Sequence, residues 1–216
     1  MKKILIILIL GLFISCSSKE NLKGTWIGAY SYSNNSDSNM NLPQRIVVTF
    51  EEDNYFAKSF KYDYRSESDF EKGTYNYNGK TIFYNSDKTN TAVLENISQD
   101  SLVIKGLEGS NNTVYKRLED SLKSKSDHIE LKGKRFLRTS QDYSDTLNFI
   151  NDSIVIKSGE SNRKLEMHWE RISHNGFEIL FMDLDIPYII WEERDGKLKL
   201  TGLHKNRYEL ELRELE

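Results

Sequence analysis

The sequence predicts an all-β protein built from two consecutive antiparallel units of about eight short strands each. Short stretches of alternating apolar and polar residues recur along the chain, separated by Asn, Asp, Ser and Gly, which is the pattern of strands joined by turns. No apolar pattern of helical period extends over a useful length. The units also share an opening, because Leu22–Gly24 and Leu131–Gly133 both spell Leu-Lys-Gly. We therefore expect a duplicated β-unit.

An apolar segment precedes the first unit. Met1–Lys3 is positively charged, and Ile4–Ile14 is apolar apart from Gly11. As a helix this run covers about 16 Å, roughly half of a hydrocarbon core, so it is too short to span a bilayer. A charged start, a short apolar run and small residues after it are the order of a secretory signal peptide.

The one Cys of the chain follows this run. Phe13–Cys16 resembles the lipobox of bacterial lipoproteins, and the resemblance implies cleavage before Cys16 and acylation of that residue. Ser17, rather than Asp, comes next, which in Gram-negative lipoproteins is similar to the pattern of outer-membrane sorting. We expect residues 1–15 to be a signal peptide, residues 16–21 a lipidated tether, and the membrane to be a partner through the anchor.

The first unit, residues 22–118, contains the strongest turn signal. Asn78 and Gly79 separate two aromatic-rich runs, and Asn-Gly suits the type I′ turn of a two-residue hairpin because both central residues need positive φ. The predicted strands are Gly24–Tyr32, Arg45–Phe50, Tyr55–Tyr64, Gly73–Tyr77, Thr81–Tyr84, Thr91–Ile97, Ser101–Leu107 and Thr113–Arg117.

Residues 119–130 are charged and serine-rich without alternation, and we expect a linker or short helix there. Residues 131–216 then form the second β-rich unit. Its predicted strands are Lys134–Arg138, Thr146–Ile150, Ser153–Ile156, Lys164–Ile172, Phe177–Met182, Pro187–Glu192, Lys197–Leu203 and Arg207–Leu212.

Several motifs of the first unit occur in a familiar order. Leu22–Trp26 resembles the Gly-x-Trp opening of lipocalins, and more closely that of the short lipocalin-like domains in Bacteroidota outer-membrane lipoproteins. Gly73–Tyr75 is similar to their central aromatic strand, and Asp100–Leu102 with Tyr115–Arg117 to their closing strands. The resemblance covers about residues 22–118 and implies a lipocalin-like barrel.

Two residues are candidates for closing one end of that barrel. A Trp early in the first strand of a small barrel, here Trp26, can plug one end. Arg117 on the last strand can lie over its ring. The second unit departs from this pattern, because Arg135, with Phe136 beside it, stands where the Trp is expected. We therefore interpret it as a diverged lipocalin-like repeat.

Aromatic residues in the first unit are candidates for a ligand cavity or for core. Phe56, Phe60, Tyr62 and Tyr64 are evenly spaced on one predicted strand and so share a face. Tyr75 is a further inward candidate. An eight-stranded barrel is either filled by side chains or holds one small ligand, and large side chains in so short a unit favour filling.

No recognised catalytic motif is present, and we expect no catalytic residue, metal or cofactor. Glu166, His168 and Glu170 share a strand face but lack a metal-ligand spacing, which favours a solvated face. Asp183 and Asp185 form a carboxylate pair that glycoside hydrolysis could use, although turns also favour Asp. The net charge of −3 lacks the basic excess of nucleic-acid binders.

These observations favour a lipid-anchored outer-membrane protein that serves as a non-enzymatic binding or interaction module, with an envelope protein or a small apolar ligand as its partner. Two alternatives stay open. One is a carrier of a small apolar ligand inside the first barrel. The other is an envelope hydrolase that acts on a glycan or lipid through carboxylates such as Asp183 and Asp185.

One modification is also expected. Asp120–Leu122 has the form Asp-Ser-apolar and is similar to the O-glycosylation sequence of exported Bacteroidota proteins. The same pattern elsewhere in the chain coincides with turns before strands, where Asp and Ser bond to their own backbone. Because Asp120–Leu122 lies in the linker, Ser121 is the candidate for modification.

Overall fold

The computed structural model describes residues 19–33, 41–60, 70–106, 111–125, 130–140, 143–159, 163–183 and 185–216, so Cys16 and Tyr62 lie outside the described residues. The all-β prediction is confirmed, because the chain forms two consecutive antiparallel eight-stranded barrels. The described helical structure is one turn at residues 19–22 and a 3-10 helix at Asp120–Leu122. Neither helix is long and apolar enough to cross a membrane.

The first barrel begins with a long strand that pairs with the last. Its strands are β1 (Gly24–Tyr32), β2 (Leu42–Pro43), β3 (Ile46–Phe50), β4 (Asn54–Ser59), β5 (Phe70–Tyr77), β6 (Thr81–Tyr84), β7 (Thr91–Ile97), β8 (Ser101–Ile104) and β9 (Asn112–Arg117). Strands β1 and β3 to β9 form the closed ring, and β2 adds a two-residue ladder on β1. Trp26 pairs with Arg117 across the closing seam.

The second barrel closes in the same way, by pairing of its first and last strands. Its strands are β10 (Arg135–Thr139), β11 (Ser144–Phe149), β12 (Ile154–Ser158), β13 (Lys164–His174), β14 (Phe177–Met182), β15 (Tyr188–Arg194), β16 (Lys197–Leu203) and β17 (Arg207–Leu215).

The two barrels bury part of their outer faces against each other. On β3, Val47 and Thr49 face away from the barrel interior yet are fully or nearly fully buried. Phe60 stacks on Phe181 with 5.4 Å between ring centroids. These contacts belong to one apolar cluster that both barrels share: Ile27, Val47, Phe60, Leu118, Leu122, Ile172, Phe177, Ile179, Phe181, Ile189 and Leu203.

Polar contacts also join the barrels. Arg45 pairs with Asp183 at 3.0 Å. The Thr49 hydroxyl lies 2.8 Å from Nε2 of His174, and both residues are buried. Burial, with a contribution from the Lys58 charge, lowers the pKa of His174 and keeps it neutral near pH 7. The neutral imidazole and the Thr49 hydroxyl therefore share a hydrogen bond across the interface.

Candidate ligand-binding site

One end of the first barrel is sealed by Trp26 and Arg117. Trp26 is completely buried, and its Nε1 donates to the carbonyl of Leu22 at 2.8 Å. The guanidinium carbon of Arg117 lies 4.1 Å from the centroid of the Trp26 ring. Arg117 also donates to the carbonyls of Asn21 and Gln99, at 2.5 and 2.6 Å. The first residues of the unit are thereby held across the barrel end.

Toward the opposite end, the interior of the same barrel is not filled. A cavity of about 160 Å³ lies above the Trp26 layer. Its apolar walls come from the inward faces of β3, β4, β8 and β9: Ile46, Val48, Phe50, Ala57, Ile104 and Tyr115. Because a cavity of about 150 Å³ is large enough for benzene, this space has the size for a single ring or a short aliphatic group.

The rim of the cavity is polar. Tyr55, Glu71, Tyr84 and Asn90 complete its lining, and the Tyr55 hydroxyl donates to the exposed Glu71 carboxylate. Burial, together with Glu71, raises the pKa of Tyr55 to about 12, and burial also raises the pKa of Tyr84. Both phenols are therefore neutral donors near pH 7. The arrangement offers an apolar chamber with hydrogen-bonding groups at one side.

The turn after β6 packs against Gly73 beside the rim. After β6 the chain turns through Asn85 and Ser86, which both have positive φ, and Asn85 Oδ1 accepts from the backbone N–H of Thr74 at 3.0 Å. A Cβ at Gly73 would lie 1.9 Å from Asn85 Oδ1. A side chain at Gly73 would therefore displace the Asn85 side chain from its place beside Tyr55.

The aromatic residues expected from the sequence do not lie together in this cavity. Phe56 and Phe60 face outward, because β4 turns its odd-numbered residues, beginning with Tyr55, toward the interior. Phe60 belongs to the interface cluster, and Phe56 lines a groove of about 300 Å³ together with His174. Tyr75 packs in the core of the first barrel. Tyr62 lies outside the described residues.

In the second barrel, the apolar side chains of the described interior are almost all buried. Its interior holds one large apolar cluster: Leu131, Phe136, Leu147, Phe149, Val155, Met167, Trp169, Leu180, Met182, Tyr188, Ile190, Leu198, Leu200, Leu210 and Leu212. Phe136 is buried in this cluster, whereas Arg135 and Arg213 are exposed. The Phe149 ring packs edge-on against Trp169 with 4.9 Å between centroids.

A buried ion cluster, which the sequence analysis missed, closes the other end of the second barrel. Arg138 is 2% exposed and donates to both oxygens of Asp145, at 2.8 and 2.6 Å. It also reaches Asp185 at 2.7 Å and the Tyr188 hydroxyl at 2.9 Å. The Arg-x-x-x-x-x-x-Asp spacing across the β10–β11 hairpin was the available signal, but it does not distinguish a buried pair from a surface pair.

The two carboxylates weighed for hydrolysis are both held by cations. Asp183 pairs with Arg45 and lies 3.0 Å from Nδ1 of His168, while Asp185 pairs with Arg138. Both residues lie at the turn after β14, as turn propensity favours. Their charges are neutralised within the fold, which gives the hydrolase alternative no support. Within the described part of the chain, no cluster of acidic, His and Cys side chains is arranged to hold a metal ion.

Ser121 lies on the surface in the 3-10 helix Asp120–Leu122. Its hydroxyl donates to the Glu119 carboxylate at 3.2 Å, and Leu122 beside it is buried against both barrels. The side chain is accessible, and its glycosylation stays a prediction.

Comparison with known families bears on the first barrel. Residues 22–104 match the family model described as Lipocalin-like domain. The first barrel has a lipocalin-like fold. Neither the curated proteins nor the solved structures gave a significant match. The lipocalin-like match ends before β9, so the sealing residue Arg117 lies beyond it.

Proposed function

We propose that this protein is a non-enzymatic binding module of the outer membrane, anchored by lipid at Cys16, that takes a small apolar group into its first barrel. The observation that carries the ligand part is the cavity of about 160 Å³ beside a closely packed second barrel. Ligand sites combine apolar walls with a few placed polar groups, and Tyr55 and Glu71 supply such groups here.

The size of the cavity restricts the ligand. A space of this volume admits a ring or a branched alkyl group but not a complete lipid chain. Because Glu71 is an acceptor and the phenol of Tyr84 is a neutral donor, the favoured ligand presents a hydroxyl or amine next to its apolar body. The lipocalin-like fold of the barrel agrees with a binding role.

Titration of the purified protein with p-cresol, followed by NMR, tests the ligand part. We expect saturable shifts at cavity residues and their loss in Ala57→Leu, because the larger side chain fills the space. Ala92→Leu is the matched control, since Ala92 packs against the same core without lining the cavity. Equal binding of p-cresol by Ala57→Leu would contradict the proposed site.

Fractionation tests the anchor separately. We expect Cys16→Ala to lose labelling by radioactive palmitate and to leave the membrane pellet, with an unchanged far-ultraviolet circular dichroism spectrum. A Cys16→Ala protein that still carries the label and still pellets with membranes would show that the anchor lies elsewhere.

A further inference from the structure

A groove lies between the last strand of the first barrel and the β16–β17 hairpin of the second. Its volume is about 250 Å³. Leu122 and Leu203 form an apolar floor and are only 4% and 7% exposed. Because the apolar cluster that joins the barrels includes both leucines, the groove has a firm base.

The rim of this groove is basic, although the chain as a whole has a net charge of −3. Four cationic side chains line it: Lys116, Arg117, Lys205 and Arg207. Asp100 and Glu119 are the two carboxylates on the same rim. The positive charges exceed the negative ones, so the groove attracts anions.

The four cationic side chains differ in the hydrogen bonds and ion pairs that they already make. Arg117 is held by backbone carbonyls and by Trp26, and Arg207 pairs with Glu119 and Glu209, at 3.7 and 2.7 Å. Within the described residues, no ion pair forms at Lys116 or Lys205.

Lys116 and Lys205 therefore supply the charge available to a ligand. Lys116 is also near Asp100, whose pKa is lowered mainly by the Ser98 hydroxyl and slightly by this lysine. This weak interaction leaves the Lys116 ammonium able to bind an anion.

The groove also lies close to the proposed anchor. Arg117 donates to the carbonyl of Asn21 at 2.5 Å, and Asn21 is five residues after Cys16. Five residues span at most about 18 Å when fully extended. An acylated Cys16 therefore keeps the groove near the layer of lipid headgroups.

We propose that this groove binds the phosphate of an anionic membrane phospholipid, with Lys116 and Lys205 as its ligands and Leu122 and Leu203 against the first carbons of the lipid. The inference rests on the proposed function, because the anchor is what brings the groove to the membrane. A free phosphate would use the same cations, and the test separates the two sources.

Acetylation of lysines in the full-length lipidated protein, quantified by mass spectrometry, is the test. Vesicles of phosphatidylcholine are compared with vesicles of equal parts phosphatidylcholine and phosphatidylglycerol. A lysine near an anionic surface gains about 1 kcal/mol, so we expect about fivefold slower acetylation of Lys116 and Lys205 with phosphatidylglycerol. Exposed Lys72 and Lys88, outside the groove, serve as internal controls and should change less.

Further arms decide between the outcomes. Lys205→Gln should reduce the protection of Lys116, whereas Lys88→Gln should leave it unchanged. Equal acetylation of Lys116 in both vesicle types would overturn the proposal, as would full protection by inorganic phosphate with phosphatidylcholine alone. Pelleting with phosphatidylcholine vesicles reports the anchor separately, so its loss would contradict the proposed function and not the groove.

Discussion

The two barrels share a strand order but are closed by cations at opposite ends. In the first, Arg117 lies over Trp26 where the barrel begins, and the other end leads into a cavity. In the second, Arg135 aligns with Trp26 but is exposed, Phe136 beside it packs into the apolar interior, and Arg138 closes the far end. An Arg thus closes one end of each barrel, but the interior next to it contains a cavity in the first barrel and packed side chains in the second.

The partners of the Arg at each barrel end explain why one interior has room for a ligand. An Arg that binds backbone carbonyls and an aromatic face seals an end without occupying the interior. An Arg that binds carboxylates, as Arg138 binds Asp145 and Asp185, is itself buried at the barrel end. The first barrel is consequently the unit that we propose to bind a ligand, and it shares an apolar cluster with the second.

Truncation at the sealed end of the first barrel has the largest expected effect. Trp26→Ala should lower the free energy of unfolding by about 3–5 kcal/mol, because a buried aromatic side chain is removed. Arg117→Ala should cost clearly less, and the exposed Arg213→Ala less than about 0.5 kcal/mol. Urea unfolding of the single and double variants measures the coupling of Trp26 with Arg117, and strict additivity would show that the two do not act together.

Substitution of the buried Arg at the end of the second barrel should lower the free energy of unfolding by nearly as much. Arg138→Met leaves Asp145 and Asp185 without their shared cation, and breaking a buried ion pair costs about 3–5 kcal/mol. Arg135→Met is the control, since Arg135 is exposed on the same strand. Similar unfolding midpoints for Arg138→Met and Arg135→Met would contradict the assignment of Arg138 as the closing residue.

A Val-to-Leu substitution in the interior of each barrel should show which interior has room for a larger side chain. Val155→Leu adds volume to a filled core and should cost about 1–3 kcal/mol through overpacking. Val48→Leu extends into the cavity, where room exists, so its cost should stay below that of Val155→Leu. Calorimetry of the two variants measures the difference, and a larger loss for Val48→Leu would mean that the first barrel is the tighter one.

Substitution of His174 at the interface between the barrels should have the smallest effect on the free energy of unfolding, and this effect should depend on pH. The pKa of His174 is lowered in the folded state, so the unfolded chain binds the proton first as the pH falls below about 6.5. The free energy of unfolding is therefore unaffected by His174 protonation above that pH. Below it, the free energy of unfolding decreases by at most about 1.4 kcal/mol per pH unit. His174→Gln should flatten this part of the profile of unfolding free energy against pH, and an unchanged slope would exclude His174 as the cause.

The sequence predicted the fold because each short strand carries its own alternation and turn residues. Trp26 and Arg117 were identifiable since their strand positions bring them to one barrel end, where the structure places them 4.1 Å apart. The inward face of β4 was not predictable. Phe56 and Phe60 lie on the outer face of the barrel, part of which the second barrel covers. Because both faces of the strand are covered, alternation does not show which face points inward.

The ion cluster of the second barrel was hidden for a different reason. Arg138 and Asp145 face each other across the β10–β11 hairpin, whereas Asp185 is far from both in the sequence, and all three are residue types typical of a surface. The folded barrel is what brings Asp185 and Tyr188 to the Arg138–Asp145 pair. The cavity depends likewise on the sum of side-chain volumes around eight strands, which no single strand pattern contains.

Crystals of the protein pressurised with xenon test the central claim most directly, since xenon enters dry apolar cavities without needing polar contacts. The account predicts a xenon atom inside the first barrel near Val48 and Ala57, and none among the core residues around Phe149 and Trp169. Xenon bound inside the second barrel, or an empty first barrel under the same pressure, would contradict the division into a binding unit and a packed unit.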